Sequence, residues 1–343
     1  MKIFAPTLSL ALLLCSQGMH AEPVKSVKPT DTPNRIVLLV DEIKAIRSFP
    51  IVLAERLGYL KDDGMDVTVM NIRDDVFHDQ MLMDGRVDAV MAYYHHNIVN
   101  QSKGNSTEAV VTLGVTPGSK VLVANQSKEK FKTLADLKGS RFIAGGAGSS
   151  KTTVANYLVL EGGNKLDDYT RLGTDGKDKN VIALRNDAAD FVVAPTPDGN
   201  FYEAQGVATV FADLTTVEGT RKNFGTLFPS NTIFMASERV KAHPEIAQHL
   251  ANAFVRTLKY INTHTAEEIA ALIPVEISGK DRVTYLKVLK EQIPMFANDG
   301  RMPPDGAAKE LQVLAEFNPK FKAVKVEQTY TNTFVDAALK KFQ

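Results

Sequence analysis

An α/β fold of two lobes is the architecture this sequence predicts, each lobe an open, mostly parallel sheet, with a hinge made of two chain crossings. Three observations carry that reading. Short apolar runs alternate with helical stretches from residue 35 onward; the alternation breaks and restarts near Asn125; and after a return strand at residues 232–236 the pattern is helical to the end. The 343 residues, 44% hydrophobic and 23% charged, are enough to bury a core in each of two lobes.

Taken in order, residues 35–40 form an apolar run suited to a buried parallel strand. A helix follows at 48–60, with Pro50 near its start and Gly58 near its end. Residues 67–70 are a second strand, 76–84 a helix and 87–92 a third strand; strands and helices alternating at this spacing imply right-handed crossovers. Two strands, 110–115 and 120–124, flank the turn Thr116-Pro117-Gly118-Ser119. Beyond Asn125 come a short helical piece at 134–137, strands at 141–144, 171–173, 191–194 and 207–211, and helices at 151–161 and 181–186. From Pro244, residues Ile246, Leu250, Ala253, Phe254, Leu258 and Ile261 fall on one helical stripe. Helices at 267–272, 282–292, 305–317 and 330–341 complete the chain. The expected lobes are residues 35–123 with 232–343, and 127–228. The hinge would then lie near Ala124-Asn125 and Ser230-Asn231.

Forty basic and forty acidic residues cancel, so there is no basic footprint for nucleic acid and no long-range field to steer a charged partner. Residues 1–21 carry Lys2, an apolar run too short to span a bilayer, and Ala21 at a cleavage position, which reads as a secretory signal and a periplasmic destination. Residues 22–34, with three prolines, read as a flexible leader. Cys15 is the only cysteine and follows Leu14, not the small residue a lipid anchor prefers. Cleavage after Ala21 leaves a chain with no thiol, hence no disulfide, no cysteine-ligated zinc and no cysteine nucleophile.

Several segments together resemble the nitrate/sulfonate/taurine-type periplasmic solute-binding proteins of ABC importers, a group that also contains thiamine-precursor binders and synthases. The matching pieces are residues 54–67 (AERLGYLKDDGMDV), 82–91 (LMDGRVDAVM), 132–144 (KTLADLKGSRFIA) and 181–193 (VIALRNDAADFVV), with Ala242-His243-Pro244-Glu245 opening the long helix. Turns and caps dominate these pieces; Asp88 and Asp190 each precede a buried strand. Two departures stand out. Asp187-Ala188 occupies the place of a usual glycine, and Gly162-Gly163-Asn164-Lys165 replaces a commoner Ala-Gly helix ending. The resemblance implies a two-lobed periplasmic-binding-protein fold, a small-molecule ligand held between the lobes and an inner-membrane permease as partner. It further implies a monomer without cofactor or catalytic residue.

In open α/β sheets ligands bind beyond the carboxyl ends of the strands, which singles out four loops. Residues 145–153 (GGAGSSKTT) lie between a strand and a helix; glycines admit close approach, free amides and the helix dipole favour an anion, and Ser149, Ser150, Lys151 and Thr152 add polar groups. A plain helix cap explains the same residues without a ligand. A phosphate loop fails, because Ser150 stands where its second glycine belongs. After the first strand, Arg47 offers a fork for a carboxylate or sulfonate and Phe49 an apolar surface, against the alternative of solvated charge beside a helix start. After the third, Tyr93 and Tyr94 suit a cleft wall. His95 and His96 suggest a metal, but neighbours on an extended chain point oppositely and no nearby acid completes a set. After the strand at 191–194, Pro195 and Thr196 sit where a loop would close the cleft, although the prolines fix that turn regardless.

The synthases in the resembling group carry a cysteine-rich motif absent here, and no Gly-x-Ser-x-Gly elbow supports a serine hydrolase. The expected role is therefore capture and delivery of a small anionic organic molecule. A thiamine-precursor binder or synthase and a ligand-sensing domain on the same fold are the alternatives.

Overall fold

Residues 36–40 are apolar throughout, and a strand of that kind needs cover on both faces. In the computed structural model, which describes residues 34–72, 75–173 and 176–343, it has that cover. The expected signal at 1–21 and all of the leader but Asn34 lie outside the described residues. Among the described residues ten strands run in chain order as β1 Arg35–Asp41, β2 Asp66–Ile72, β3 Ala89–Tyr93, β4 Thr107–Thr112, β5 Ser119–Ala124, β6 Arg141–Ile143, β7 Thr170–Leu172, β8 Phe191–Pro195, β9 Ala208–Leu214 and β10 Asn231–Ala236. They form two five-stranded sheets, ordered β2-β1-β3-β10-β4 and β7-β6-β8-β5-β9. In the first, β1 pairs in parallel with β2 and β3, while β10 runs antiparallel between β3 and β4. The second repeats that plan with β6 at the place of β1 and β5 at the place of β10.

In the first lobe Ile36, Leu38 and Val40 face the helices Phe49–Arg56 and Pro244–Thr263, whose Leu53, Leu250 and Phe254 are fully buried. Leu39 turns the other way, toward Val90, Phe234 and the helix Pro304–Phe317. In the second lobe Val121, Val123, Phe142 and Phe191 pack on the helix Ser150–Glu161. Leu122, Ile143 and Val192 face the helices Lys177–Arg185 and Thr196–Ala204. The strand-helix alternation thus gives the expected fold class, and four of the five strands in each sheet point one way.

Corresponding aspartates clip the two sheets. Asp88, just before β3, accepts from the Val37 amide at 2.8 Å and from Arg239 Nη2 at 2.7 Å. Asp190, just before β8, accepts from the Arg141 amide at 2.9 Å, Arg141 Nε at 2.8 Å and the Ser127 hydroxyl at 2.8 Å. Each buried carboxylate joins a neighbouring strand to an arginine, so its charge is paired and hydrogen-bonded.

One boundary differs from the sequence reading. β5 was expected to close the first lobe at residue 123, but it pairs with β8 and β9 of the second sheet. Residues 113–118, read as the end of one strand and the turn before the next, instead carry the chain across between the sheets, so the first crossing precedes β5 rather than following it at Ala124-Asn125. The returning residues run beside it: the Ser230 amide donates to Gly114 O at 2.9 Å and the Phe228 amide to Val115 O at 3.1 Å. Gly114 permits this close approach, because a Cβ there would lie 2.2 Å from Ser230 Oγ.

Both departures from the family pattern have local causes. Asp187 holds a left-handed backbone at φ 55°, where a glycine would rest at ease, and its carbonyl and carboxylate receive Arg141 Nη1 at 2.5 Å and Nη2 at 2.7 Å. Gly162 ends the helix Ser150–Glu161 against the Leu134 carbonyl, and a Cβ would sit 2.0 Å from that oxygen. An alanine cannot fit there without moving backbone. Gly162→Ala is expected to cost about 1–3 kcal/mol in urea denaturation; an unchanged midpoint would show that the helix end and residues 134–137 are not locked together.

Candidate functional site

The carboxyl ends of strands from both sheets meet at a cavity of about 520 Å³. From the first lobe it receives Glu42 and Arg47 after β1, and Met91, Ala92 and Tyr93 at the end of β3, with His78, His95 and His96 nearby. The second lobe supplies residues 147–151 after β6, Ser119 at the start of β5 and Pro195 at the end of β8. Strand-end loops from two sheets facing one cavity are the arrangement expected of a ligand cleft in this fold class.

The 145–153 loop is built from its cap outward. Ser149 is the helix N-cap; its hydroxyl accepts from the Thr152 amide at 3.2 Å and donates to Ala144 O at 2.9 Å. Arg171 Nη1 holds the Gly145 carbonyl from outside at 2.5 Å. Gly145 and Gly148 adopt φ 78° and 84°, which lets the chain wind back over the helix start. With the loop so fixed, the amides of Ala147, Gly148, Ser150 and Lys151 find no backbone partner among the described residues. Together with the helix N-terminus they give the cavity one electropositive wall. Lys151 adds a full charge and forms no ion pair among the described residues.

Across the cleft, Arg47 lies in the short 3-10 turn Ile46–Ser48. Its Nη2 is 3.0 Å from Glu42 Oε2, which steers the guanidinium along the wall. Glu42 itself has a left-handed backbone at φ 47°. Tyr93 and the helix His95–Ser102 line the same side.

Of the ten residues singled out from the sequence, Arg47, Tyr93, Ser149, Ser150, Lys151 and Pro195 line the cavity. Four do not, each for a packing reason. Phe49 is buried in the first core, edge-on to Phe296 at 4.9 Å. Tyr94 is fully buried and its hydroxyl meets Thr329 Oγ1 at 2.5 Å. Thr152 is 3% exposed, its hydroxyl spent on Ala144 O at 3.0 Å and Gly146 O at 2.8 Å. Thr196 is fully buried and receives the Gln292 side-chain amide.

The reason for setting the histidines aside also fails. His95 and His96 open a helix rather than an extended segment, and an acid is at hand: Asp79 Oδ2 lies 3.1 Å from His96 Nδ1. Burial pushes the Asp79 carboxyl up, but the His96 hydrogen bond and the neighbouring His96 and His78 charges outweigh it, leaving the group below the usual carboxylate range. Burial holds His95 well below the ordinary histidine range. Sequence reasoning missed His78, while Glu42 and Ser119 lie in candidate loops without having been singled out. No spacing signal ties His78 to His96, which meet only because the helix Asp75–Met83 packs beside β3.

Comparison with known proteins follows the same lines. A family described as NMT1/THI5 like matches residues 46–268. Protein YtlA of Bacillus subtilis (strain 168) is 20% identical over 273 residues, covering 76% of this chain and 75% of its own length. Among solved structures, a protein from Bordetella bronchiseptica RB50 superposes with a TM-score of 0.73 at 29% identity, covering 90% of this chain and 98% of that one. The periplasmic aliphatic sulphonate binding protein SsuA from Escherichia coli superposes with a TM-score of 0.68 at 17% identity, covering 88% of this chain and 99% of that one.

Proposed function

The chain belongs to the NMT1/THI5-like family, and on that premise we propose that it is the periplasmic solute-binding component of an ABC importer. Its ligand is a small anionic organic molecule, a sulfonate or carboxylate, closed between the lobes and passed unchanged to a membrane permease. The observation that carries this reading is the pairing of Arg47 on one lobe with the unpartnered amides and Lys151 on the other, across a cavity of about 520 Å³. Such a cavity suits a small molecule. Preformed amides at a helix N-terminus bind an anion without reorganising, while Arg47 supplies a planar fork for carboxylate or sulfonate oxygens. Tyr93 covers the apolar remainder. The paired crossings at 113–118 and 225–230 act as the hinge, because among the described residues they carry the backbone from one sheet to the other and back.

The fold likeness to the Escherichia coli SsuA protein is consistent with a sulfonate, and nothing in the cavity favours nitrate over a larger organic anion. A thermal-shift screen over alkanesulfonates, aromatic carboxylates, nitrate and pyrimidine precursors tests the reading. A ligand at 100 times its Kd stabilises the folded state by about 2.7 kcal/mol. The expected result is an upward shift confined to one anionic class; shifts only with neutral or cationic compounds would overturn it.

A further inference from the structure

We propose that His78, Asp79 and His96 form a binding site for a divalent transition-metal ion, of the zinc class, on the first-lobe side of the cleft. One ligand atom from each of the three lies within 4.8 Å of the other two. His96 Nδ1 is 3.1 Å from Asp79 Oδ2, and His78 Nδ1 is 3.6 Å from Asp79 Oδ1. The His78 and His96 rings meet edge to face at 4.5 Å, so their nitrogens converge on the carboxylate rather than stacking away from it. Two imidazoles and one carboxylate are a recurrent ligand set for zinc, with bond lengths of about 2.0–2.2 Å that place ligand atoms about 3.4 Å apart. Side-chain movements of about an ångström therefore close the shell.

A second observation points the same way. His95, 6% exposed, stands with its ring 4.4 Å from that of His96, and its Nδ1 has no hydrogen-bond partner among the described residues. A buried, unpartnered imidazole nitrogen costs free energy, and a bound ion or its water would recover it. His78, His95 and His96 all line the cavity, so a three-ligand ion would keep one coordination position open to the cleft.

This site does not depend on the anion reading, because the ion alone is the probe. Untagged full-length protein, stripped with chelator, is titrated with zinc chloride by calorimetry at pH 7.5, and with cobalt(II) followed by its visible absorption. The expected result is one zinc per chain, a cobalt spectrum of tetrahedral intensity, and at least a tenfold loss of zinc affinity in both His96→Gln and Asp79→Asn. His243→Ala, on the exposed surface outside the cleft, should bind as the wild type does. His78 is buried, so His78→Ala is read only where it stays folded, and the other two variants decide without it. Absence of zinc binding to the wild type, or equal affinity in His96→Gln and Asp79→Asn, overturns the proposal. Either outcome leaves the anion screen unaffected, and a failed anion screen leaves the zinc titration unaffected.

Discussion

Asp190→Ala should lower the unfolding free energy by about 3 kcal/mol, the low end of the range for breaking a buried pair, because Arg141 is a third exposed and keeps Asp187. The loss has two parts. The Ser127 hydroxyl and the Arg141 amide, both held by the carboxylate, lose that acceptor. The side-chain clip between β6 and β8, the strands beneath the 145–153 loop, is also lost, while their backbone pairing remains. The same group sets an acid limit. Burial pushes the Asp190 carboxyl up, but the Arg141 guanidinium, the Ser127 hydroxyl and the Arg141 amide outweigh it and hold it below the usual range. A carboxyl depressed on folding contributes stability above its unfolded pKa of about 3.9, lost as pH falls through the folded value. Urea denaturation at pH 7 and across pH 5 to 2 reads both effects. A variant within 0.5 kcal/mol (about the effect of an ordinary surface change) would mean the clip is ornamental.

Lys151→Glu should weaken binding of the screened anion by about 100-fold. The substitution removes one charge-assisted contact, commonly about 1.5–3 kcal/mol, and sets a like charge against the ligand in its place. Folding should not suffer, since an acid in the first turn of a helix is favoured by the dipole. That contrast matters: affinity falls while the melting temperature of the ligand-free protein holds. Binding within threefold of wild type, measured by calorimetry, would mean the ligand's charge does not face the helix start.

The backbone was far more legible than the side chains. β1, β3, β8 and the stripe on Pro244–Thr263 declare themselves because apolar periodicity reports burial directly. The cleft loops were legible for the same reason, since strand ends locate them. Which residue of a loop faces the cleft was not. Tyr93 and Tyr94 are adjacent, yet one lines the cavity and the other is fully buried beneath Thr329, 235 residues away. Thr196 is taken up by Gln292, a contact no local pattern encodes. Asn97 and Asn100 are buried although polar, so the helix His95–Ser102 lacks the apolar stripe that would have revealed it. Residues 113–118 are short enough for a hairpin turn, and only the pairing of β5 with β8 and β9 shows that they change sheets.

The central claim is that one anion bridges two lobes, and calorimetry on Arg47→Ala, Ser150→Ala and the double variant tests it most directly. Arg47 belongs to the first lobe and Ser150 to the second, and both line the cavity. If the ligand spans the cleft, each single variant weakens binding about tenfold or more, and the compound is recovered chemically unchanged. Unchanged affinity in either single variant would place the ligand on one lobe or elsewhere, and conversion of the compound by the wild-type protein would make it an enzyme rather than a carrier.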